Sequence, residues 1–365
     1  MKIATLALNP AVDRTMYFGQ NIKFGALNRS AKPTVTSVGG NGIDVSLVFR
    51  KLGIDSVCAG LWGGGMNGDF VLQSLQKEKI EPAGVRTKCD TRVNIKIISK
   101  DNEPTEFNES GGPILPEEKT QMIELIKNDI LNGVDCLFMG GSLPVGIEKS
   151  FYRDILDMSG VSCRGEQCSP AAKNLRKSGS ADAQCASLQK SWGMKSEGIK
   201  FILDCDGDAL KLCMENKITP YMIKPNLFEL EQLTGKKYEM PGDLDKIKNE
   251  IKKIYETTGV IVLCTLGEYG GLYSGGEGIY YNNAPRVEVR GFTGAGDTFL
   301  TAFCAVYFGL FELSASAIGC RERPPCRSEV ETALKFAVAA SAAKVTKPGT
   351  EFPEVDEIME MLGRM

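Results

Sequence analysis

Short apolar runs rich in β-branched residues alternate along this chain with longer amphipathic stretches, and this alternation constrains the fold most strongly. Strands that alternate with helices are typical of βαβ units, in which helices cover both faces of a mostly parallel sheet. The predicted strands are Lys2–Leu8, Ser56–Leu61, Val134–Met139, Lys200–Asp204, Tyr221–Ile223 and Val260–Cys264. The predicted helices are Gly42–Leu52, Gly68–Lys79, Pro116–Leu131, Glu148–Met158, Leu227–Thr234, Leu244–Thr257, Ala295–Phe308, Glu329–Thr346 and Val355–Leu362. The expected fold class is α/β, with ligands at the carboxyl ends of the strands.

Two stretches depart from this alternation, Val12–Val38 and Val85–Phe107. Each shows short strand patterns and turns with no helix between them. We expect them to form a separate small β-sheet, a discontinuous lid over the strand ends (about 12–38 and 85–107). A lid in that position excludes water from a site below it.

We expect a single domain over residues 1–365. Two polar segments, 160–198 and 314–327, do not fit its alternation of strands and helices. A connection between a helix and a strand normally needs about 2–6 residues, so both are interpreted as inserts on the surface. The first contains Cys163 and Cys168 close together, which leaves a metal or redox insert as an alternative.

Composition excludes several classes of function. Lys plus Arg is 43 and Asp plus Glu is 46, so no basic excess indicates a partner nucleic acid. Histidine is absent, which excludes Ser-His-Asp and Cys-His catalysis and His-based zinc sites. The groups that remain available for catalysis are carboxylates, lysine, hydroxyls, backbone amides or a metal held by oxygen ligands.

The expected location is the cytoplasm. The N-terminus lacks the features of a signal peptide, and no run of about 18 apolar residues predicts a membrane span or a membrane partner. Most of the 12 cysteines lie singly in apolar runs, as small buried thiols do in a reducing compartment.

The segment Gly291–Phe299 (GFTGAGDTF) carries the strongest chemical signal. Its three glycines let successive backbone N–H groups point one way, and an apolar helix begins near Ala295. The positive end of that helix completes a cradle for an anion such as a phosphoryl group in transfer. Asp297 lies in the cradle, where a carboxylate can accept a proton from a hydroxyl nucleophile. The alternative is a carboxylate that only caps the helix.

Other polar and glycine-rich segments also follow predicted strands. GGNGIDVS (39–46) opens a helix and offers Asn41 and Asp44 to a sugar, although a plain βα turn is the alternative. Asn226 and Glu229 lie one turn apart, which suits Mg²⁺ bound through water. TLGEYGG (265–271) can wrap nucleotide phosphates, and GGSLPVG (140–146) closes another strand.

Taken in order, GGNGIDVS, GGSLPVG, KPNLFEL, TLGEYGG and GFTGAGDTF resemble the PfkB, or ribokinase-like, family of carbohydrate kinases. The opening TLALNPAVDRT is similar to the sugar-phosphate branch of that family. TRVNIK (91–96) and FNESG (107–111) are more similar to its 1-phosphofructokinase members than to its tagatose-6-phosphate kinases. The resemblance implies a three-layer fold with a small β-sheet lid and ATP-dependent, Mg²⁺-dependent phosphorylation of a ketohexose phosphate, fructose 1-phosphate first.

The resemblance also implies roles for residues of the catalytic and nucleotide sites. Asp297 would be the base that takes the proton of the sugar hydroxyl, and Gly294, Ala295 and Gly296 would form the anion hole. Glu229 would steer Mg²⁺ through water. The ATP site would be formed by Lys224, Asn226, Thr265, Gly267 and Gly270.

On the sugar side, Arg92 and Lys96 would meet the substrate phosphate, for which a guanidinium fork is well suited. The remaining residues implied to hold the sugar are Asp13, Gly39, Gly40, Asn41, Asp44 and Asn108. A homodimer through the lid is compatible with the resemblance.

Two positions depart from the family pattern. Asn41 stands where a Lys or Gly is usual, and Asp44 stands where an Asn is usual. Two negative charges about 6 Å apart at an effective dielectric near 20 repel by roughly 3 kcal/mol, so Asp44 weakens binding of an anionic sugar unless a cation offsets it. The open alternatives are tagatose-6-phosphate or fructose-6-phosphate kinase, and a non-catalytic relative that binds sugar phosphate or nucleotide.

Overall fold

The computed structural model describes residues 1–100, 104–160, 198–313 and 325–365. Most of the two inserts expected from the sequence lies outside the described residues, including Cys163 and Cys168. None of the helices within those ranges has both the length and the apolar character of a membrane span.

The described strands are β1 Ile3–Ala7, β2 Ala11–Tyr17, β3 Val35–Gly39, β4 Val57–Gly63, β5 Glu81–Thr87, β6 Arg92–Ile98, β7 Thr105–Asn108, β8 Cys136–Gly140, β9 Lys200–Asp204, β10 Met222–Ile223, β11 Ile261–Thr265, β12 Gly271–Gly275 and β13 Gly278–Asn282. The large sheet has the order β13-β12-β11-β10-β9-β8-β1-β4-β5. From β11 to β5 every pairing is parallel, and the hairpin β12–β13 adds an antiparallel edge. The carboxyl ends of the parallel strands therefore meet at one edge of this sheet.

The helices are α1 Asn41–Lys51, α2 Met66–Lys77, α3 Pro116–Leu125, α4 Phe151–Met158, α5 Gly207–Met214, α6 Leu227–Thr234, α7 Leu244–Thr258, α8 Ala295–Tyr307, α9 Arg327–Val345 and α10 Val355–Gly363. One apolar core joins the sheet to α1, α8, α9 and α10, and a second joins its other face to α3, α4, α5 and α7. This is the expected three-layer α/β architecture. The helix predicted over 116–131 is α-helical only as far as Leu125, because a π-helical turn follows from Ile126 to Ile130.

Helix α8 is central to this arrangement and fixes the position of Asp297. Every residue from Asp297 to Tyr307 is buried, because α8 packs between α1, α9 and the sheet. A helix that is apolar all round belongs in an interior. Its packing also explains Gly271 in β12, where an added Cβ would lie 2.6 Å from Phe299 Cε2.

The small sheet has the order β3-β2-β6-β7, with β2 and β6 parallel. Three residues connect the end of β1 to β2, so the small sheet starts next to the carboxyl edge of the large sheet. The sequence placed the second lid segment from residue 85, but Val85–Thr87 belong to β5 in the large sheet. These residues continue a strand paired along its whole length with β4, and the small sheet resumes at Arg92.

Three further elements were not predicted from the sequence: α5, β12 and β13. The hairpin is glycine-rich at both strands, and glycine carries no apolar side chain to reveal a strand period. Helix α5 is eight residues long and starts at a side-chain cap, in which Asp206 Oδ1 accepts from the amide of Ala209 at 3.0 Å.

Candidate active site

The glycine-rich segment forms a turn at the start of α8. Gly294 has φ 78°, a left-handed conformation that favours glycine, and an added Cβ would lie 2.9 Å from the ring of Phe352. The amide and hydroxyl of Thr298 both donate to the Gly294 carbonyl, at 2.9 and 2.7 Å. The amide of Ala295 donates to the Phe292 carbonyl at 3.1 Å, so it is not aimed outward as expected. The amides of Gly296 and Asp297 follow at the helix end, where no intrahelical acceptor exists.

Lys224 brings a positive charge to this helix end. Its ammonium would lie 3.2 Å from a Cβ added to Gly296. It also forms a buried ion pair with Asp204, with Nζ 2.9 Å from Oδ1. Burial acts to lower the pKa of Lys224, but the charges of Asp204 and Glu229 outweigh it and the pKa is raised. The ammonium therefore stays charged beside the anion hole.

Asp204 was not among the residues expected at the site. Its signal in the sequence is a carboxylate that ends a buried strand, β9, directly next to the neighbouring strand end at Gly140. The structure places Asp204 with Asn41 and Asp297 around one small cavity at the sheet edge.

Asp297 is buried at this end of α8. Its Oδ1 is buried and has no hydrogen-bond partner among the described residues. Burial and then the charges of Asp44 and Asp204 raise its pKa well above the usual range, and Lys224 counteracts them. A carboxylate with a raised pKa is a stronger proton acceptor near neutral pH, and an unpartnered oxygen is ready to accept a hydroxyl proton.

Glycines between β3 and α1 allow close approaches of the neighbouring backbone and side chains. A Cβ on Gly39 would lie 2.6 Å from Asp13 Oδ2, and Gly40 has φ 118°. Gly141, after β8, lies against the side chain of Asn41, whose Oδ1 would be 2.8 Å from an added Cβ. Gly39 and Asp13, both expected to hold the sugar, are therefore adjacent, and Asn41 lies beside Gly141.

Lys96 is bound within the protein rather than held open for a phosphate. Its ammonium lies 2.5 Å from Asp13 Oδ2 in a buried ion pair. Asn94 Nδ2 donates to the other oxygen, Oδ1, at 2.9 Å. The carboxylate of Asp13 is thus held by two lid side chains of β6.

Asp44 lies beside this ion pair. Burial and then the charge of Asp13 raise the pKa of Asp44 to about 7, whereas Lys96 and Lys344 act in the opposite direction. Its Oδ1 is buried without a hydrogen-bond partner in the described part of the chain. Lys344, in the last turn of α9, was not foreseen as part of the site; nothing in the local sequence marks it.

Arg92 is half-buried and bridges two backbone segments. Its Nε donates to the Asn9 carbonyl at 3.2 Å, and its Nη1 donates to the Glu109 carbonyl at 2.9 Å. It thus fixes the loop after β7 against the turn after β1. Asn108 is exposed in β7, opposite Asn94. The structure does not bring Asn108 into the buried group around Asp13.

A large cleft of about 1280 Å³ lies on the other side of the anion hole. Its lining includes Asn226, Thr265, Gly267 and Gly270, four of the five residues expected at the nucleotide, whereas Lys224 does not line it. Its apolar wall consists of Val289, Phe292, Val338, Ala342 and Val345. Because Gly296 also lines it, the cleft reaches the anion hole, and an apolar wall with a few polar groups is typical of small-molecule sites.

Asn226 and Glu229 form the start of α6. The amide of Glu229 donates to Asn226 Oδ1 and the amide of Asn226 donates to Glu229 Oε2, each at 2.9 Å. This reciprocal cap holds both side chains at the edge of the cleft. Burial and then the charge of Asp204 raise the pKa of Glu229.

These carboxylates are compatible with Mg²⁺. Within the described ranges no group of three or more carboxylates and thiols forms a dedicated metal cage. Mg²⁺ usually keeps several waters and binds one or two carboxylates together with substrate phosphates. Lys224 already counteracts the repulsion between Glu229 and Asp204 and is paired with Asp204, so Glu229 is the carboxylate left to hold a water-bridged ion.

Comparisons with known proteins agree with this fold. A sequence profile of the pfkB family carbohydrate kinases matches residues 6–168 and 170–357. A 1-phosphofructokinase of Borreliella burgdorferi is 27% identical over 361 residues, which cover 98% of this chain and 96% of that protein. Phosphofructokinase-2 of Escherichia coli, solved with substrates and products, matches with a TM-score of 0.75 and 23% identity over 100% of this chain and 99% of that chain.

A possible 1-phosphofructokinase of Thermotoga maritima matches with a TM-score of 0.74 and 21% identity, over 100% of this chain and 98% of that chain. At these identities the two solved structures show a shared fold. The family profile matches nearly the whole length of the sequence, and this match assigns the family independently of the solved structures. The chain belongs to the PfkB family of carbohydrate kinases.

Proposed function

We propose that this kinase phosphorylates a ketohexose phosphate with ATP, and that fructose 1-phosphate, converted to fructose 1,6-bisphosphate, is its substrate. The observation that carries the proposal is the unpartnered, buried Oδ1 of Asp297 at the end of α8, with the Lys224 ammonium against Gly296 beside it. This arrangement provides a proton acceptor and a cradle for an anion at one place.

In the proposed reaction, the sugar binds on the α1 side and ATP occupies the cleft, so that the acceptor hydroxyl and the γ-phosphoryl group meet at the anion hole. Asp297 accepts the proton of the 6-hydroxyl as that oxygen bonds to the γ-phosphorus. The bond from the γ-phosphorus to the bridging oxygen breaks, and ADP leaves. The amide of Gly296 and the ammonium of Lys224 stabilise the charge on the transferring group.

Glu229 is the residue proposed to hold Mg²⁺ through water, with Asp204 nearby. The ion supplies charge neutralisation to the phosphates of the nucleotide when bound. Asn226 holds Glu229 in place through the reciprocal helix cap.

The choice of fructose 1-phosphate is supported by similarity over nearly the whole chain to a protein named 1-phosphofructokinase. Lys96 and Lys344 counteract the negative charges of Asp13 and Asp44, which would otherwise oppose an anionic sugar. Fructose 6-phosphate is the second candidate, because a phosphofructokinase-2 shares the fold. Tagatose 6-phosphate is the third.

A substrate panel tests the proposal. ADP release is measured with each of the three sugar phosphates, ATP and Mg²⁺, for the unaltered protein and Asp297→Asn. We expect fructose 1-phosphate to have the highest kcat/KM and the variant to lose at least about a hundredfold in kcat. Equal rates on all three would contradict the substrate choice, and an unchanged Asp297→Asn would contradict the base. Binding of sugar phosphate or ATP without any turnover would favour the non-catalytic alternative.

The outer face of the small sheet supports a homodimer as part of this proposal. Ile95 and Phe107 pair across β6 and β7, and they are 38% and 53% exposed. Phe24 and Leu27, in the connection from β2 to β3, are 94% and 76% exposed. A second copy that covers this apolar surface would fix the lid over the sugar site.

A further inference from the structure

The covered face of the small sheet is polar. Four buried side chains of β2 and β6 lie on it, in the registered pairs Asp13 with Asn94 and Thr15 with Lys96. Successive residues of a strand point to opposite faces, and the alternate position Ile95 is exposed. A sheet with one solvated face usually turns its apolar side chains inward, so this sheet has the reverse pattern. A buried polar face of this kind suits a polar ligand.

Gly39 connects this polar face to the candidate active site. A Cβ added to Gly39 would lie 2.6 Å from Asp13 Oδ2, so β3 and β2 are in close contact there. Two residues further along, Asn41 opens α1 and lines the same small cavity as Asp297. The polar face therefore belongs to the α1 side of the site, where the sugar is proposed to bind.

The amide group of Asn94 is oriented by Asp13. An ionised carboxylate only accepts hydrogen bonds, so the NH2 group of Asn94 has to face it, and Nδ2 donates to Asp13 Oδ1 at 2.9 Å. Lys96 donates to the other oxygen, Oδ2, at 2.5 Å. Each oxygen of Asp13 thus has its own donor, and the amide oxygen of Asn94 is turned away from the carboxylate.

This amide oxygen, Oδ1 of Asn94, is buried and has no hydrogen-bond partner within the described ranges. The whole side chain is only 8% exposed. Buried polar atoms nearly always have a partner, so a donor from outside the chain is expected here. An amide oxygen can only accept, which excludes an ionised phosphate as its partner and selects an O–H group.

We propose that Asn94 determines sugar specificity: its amide oxygen accepts a hydrogen bond from a hydroxyl of the bound sugar that takes no part in the reaction. The inference rests on the proposed function for the substrate class, and it assigns to β6 the recognition of a hydroxyl rather than of the phosphate. A site built around such a contact rejects a sugar that lacks the hydroxyl, because the buried oxygen is then left unpaired.

The test is a cycle between Asn94 and the hydroxyls of the sugar. Calorimetric titration without ATP measures the Kd of fructose 1-phosphate and of analogues that each lack the hydroxyl at C2, C3 or C4. We expect Asn94→Leu to weaken binding of fructose 1-phosphate about tenfold, and one analogue to bind the unaltered protein about tenfold more weakly. For that analogue, Asn94→Leu should cost less than about threefold, because the contact is already absent.

Two further variants serve as controls. Asn249→Leu is the same change at an exposed position of α7, and it should leave all Kd values unchanged. Lys96→Gln loosens Asp13 at its other oxygen while Asn94 stays in place, so it separates a direct contact from an effect through Asp13. Lys96→Gln should show no coupling to the analogue that couples to Asn94.

Additivity of Asn94→Leu with every analogue would overturn the proposal, since a residue that holds a water molecule or only positions Asp13 gives that pattern. The same coupling in Lys96→Gln would also overturn it. If Asn94→Leu failed to fold, Asn94→Ala, which removes the same oxygen without added bulk, takes its place in the cycle. Equal affinity of the unaltered protein for fructose 1-phosphate and all its analogues would overturn the proposal without any variant.

Failure of the proposed function has a different signature. Binding of fructose 1-phosphate without turnover would contradict the kinase activity, while the titrations still decide the role of Asn94. If fructose 6-phosphate or tagatose 6-phosphate bound in its place, the substrate choice would be wrong, and the deoxy analogues of that sugar phosphate would enter the same cycle.

Discussion

The ammonium of Lys224 lies 2.9 Å from Asp204 and would be 3.2 Å from a Cβ on Gly296, so a buried ion pair between two strand ends holds a positive charge against the start of α8. The carboxylate orients the lysine, and the glycine leaves room for it. This ion pair stabilises the site only when both members are present, because either charge would be costly to bury without its partner.

Gly296→Ala tests the contact between the anion hole and the lysine. A methyl group at this position displaces the Lys224 ammonium and narrows the hole. We expect kcat to fall at least about tenfold with little change in KM for the sugar. Gly133→Ala is the control, because nothing lies within 4 Å of its added Cβ. A normal kcat in steady-state assays of Gly296→Ala would show that the hole lies elsewhere.

Lys224→Met removes one member of the ion pair and leaves Asp204 buried without it. We expect a loss of about 3 kcal/mol in the free energy of unfolding, measured by urea denaturation, together with a higher KM for ATP. Lys224→Met combined with Asp204→Asn should recover part of the stability, because the unpaired charge is gone. Equal stability of the single and double variants would argue against the pair.

The pH dependence of kcat/KM reports on Asp297, which must be deprotonated to accept a proton. Lys224 lowers the pKa of Asp297 and Asp44 raises it. Lys224→Met should therefore shift the acidic limb of the profile to higher pH, and Asp44→Asn should shift it to lower pH, each by at least about half a unit. Shifts in the same direction for both variants would be inconsistent with a base at Asp297.

Asp44 also makes stability depend on pH. Its pKa rises from 3.8 to about 7 on folding, chiefly through burial, so between these values the folded protein holds a proton that the unfolded chain has released. Stability at Asp44 is therefore lost as pH rises through this range. Asp44→Asn removes that loss. The free energy of unfolding of this variant, minus that of the unaltered protein, should therefore increase from pH 4 to pH 7 by up to about 4 kcal/mol. A difference that stays constant in unfolding measurements would exclude this account.

The lid dimer is tested by Phe107→Glu, which places a charge on the exposed apolar face of β7. We expect the unaltered protein to sediment as a dimer and the variant as a monomer with a higher KM for the sugar phosphate. Glu124→Gln, on α3, is a control away from the small sheet. A monomeric unaltered protein would contradict the dimer directly.

The local sequence correctly predicted those elements whose ends are set by their own residues. Helix α6 has the predicted bounds Leu227–Thr234, because its cap and its αL end at Gly235 are both local features. Strand β9 likewise has the predicted bounds Lys200–Asp204. The hairpin β12–β13 was not predicted. Its glycines adopt strand conformation because β12 pairs with β11 and packs against the ring of Phe299, and not because of a pattern in its own side chains.

The sequence by itself determined the α/β class, the small separate sheet, and the glycine-rich turn at the start of α8 with Asp297 just after it. These follow from periodicity and from backbone chemistry that acts over a few residues. The tertiary structure decided which charges meet: Asp204 with Lys224, and Asp13 with Lys96. Such pairings join strand ends and helix ends far apart in sequence, and their energy depends on distance and burial in the folded protein, which local spacing does not encode.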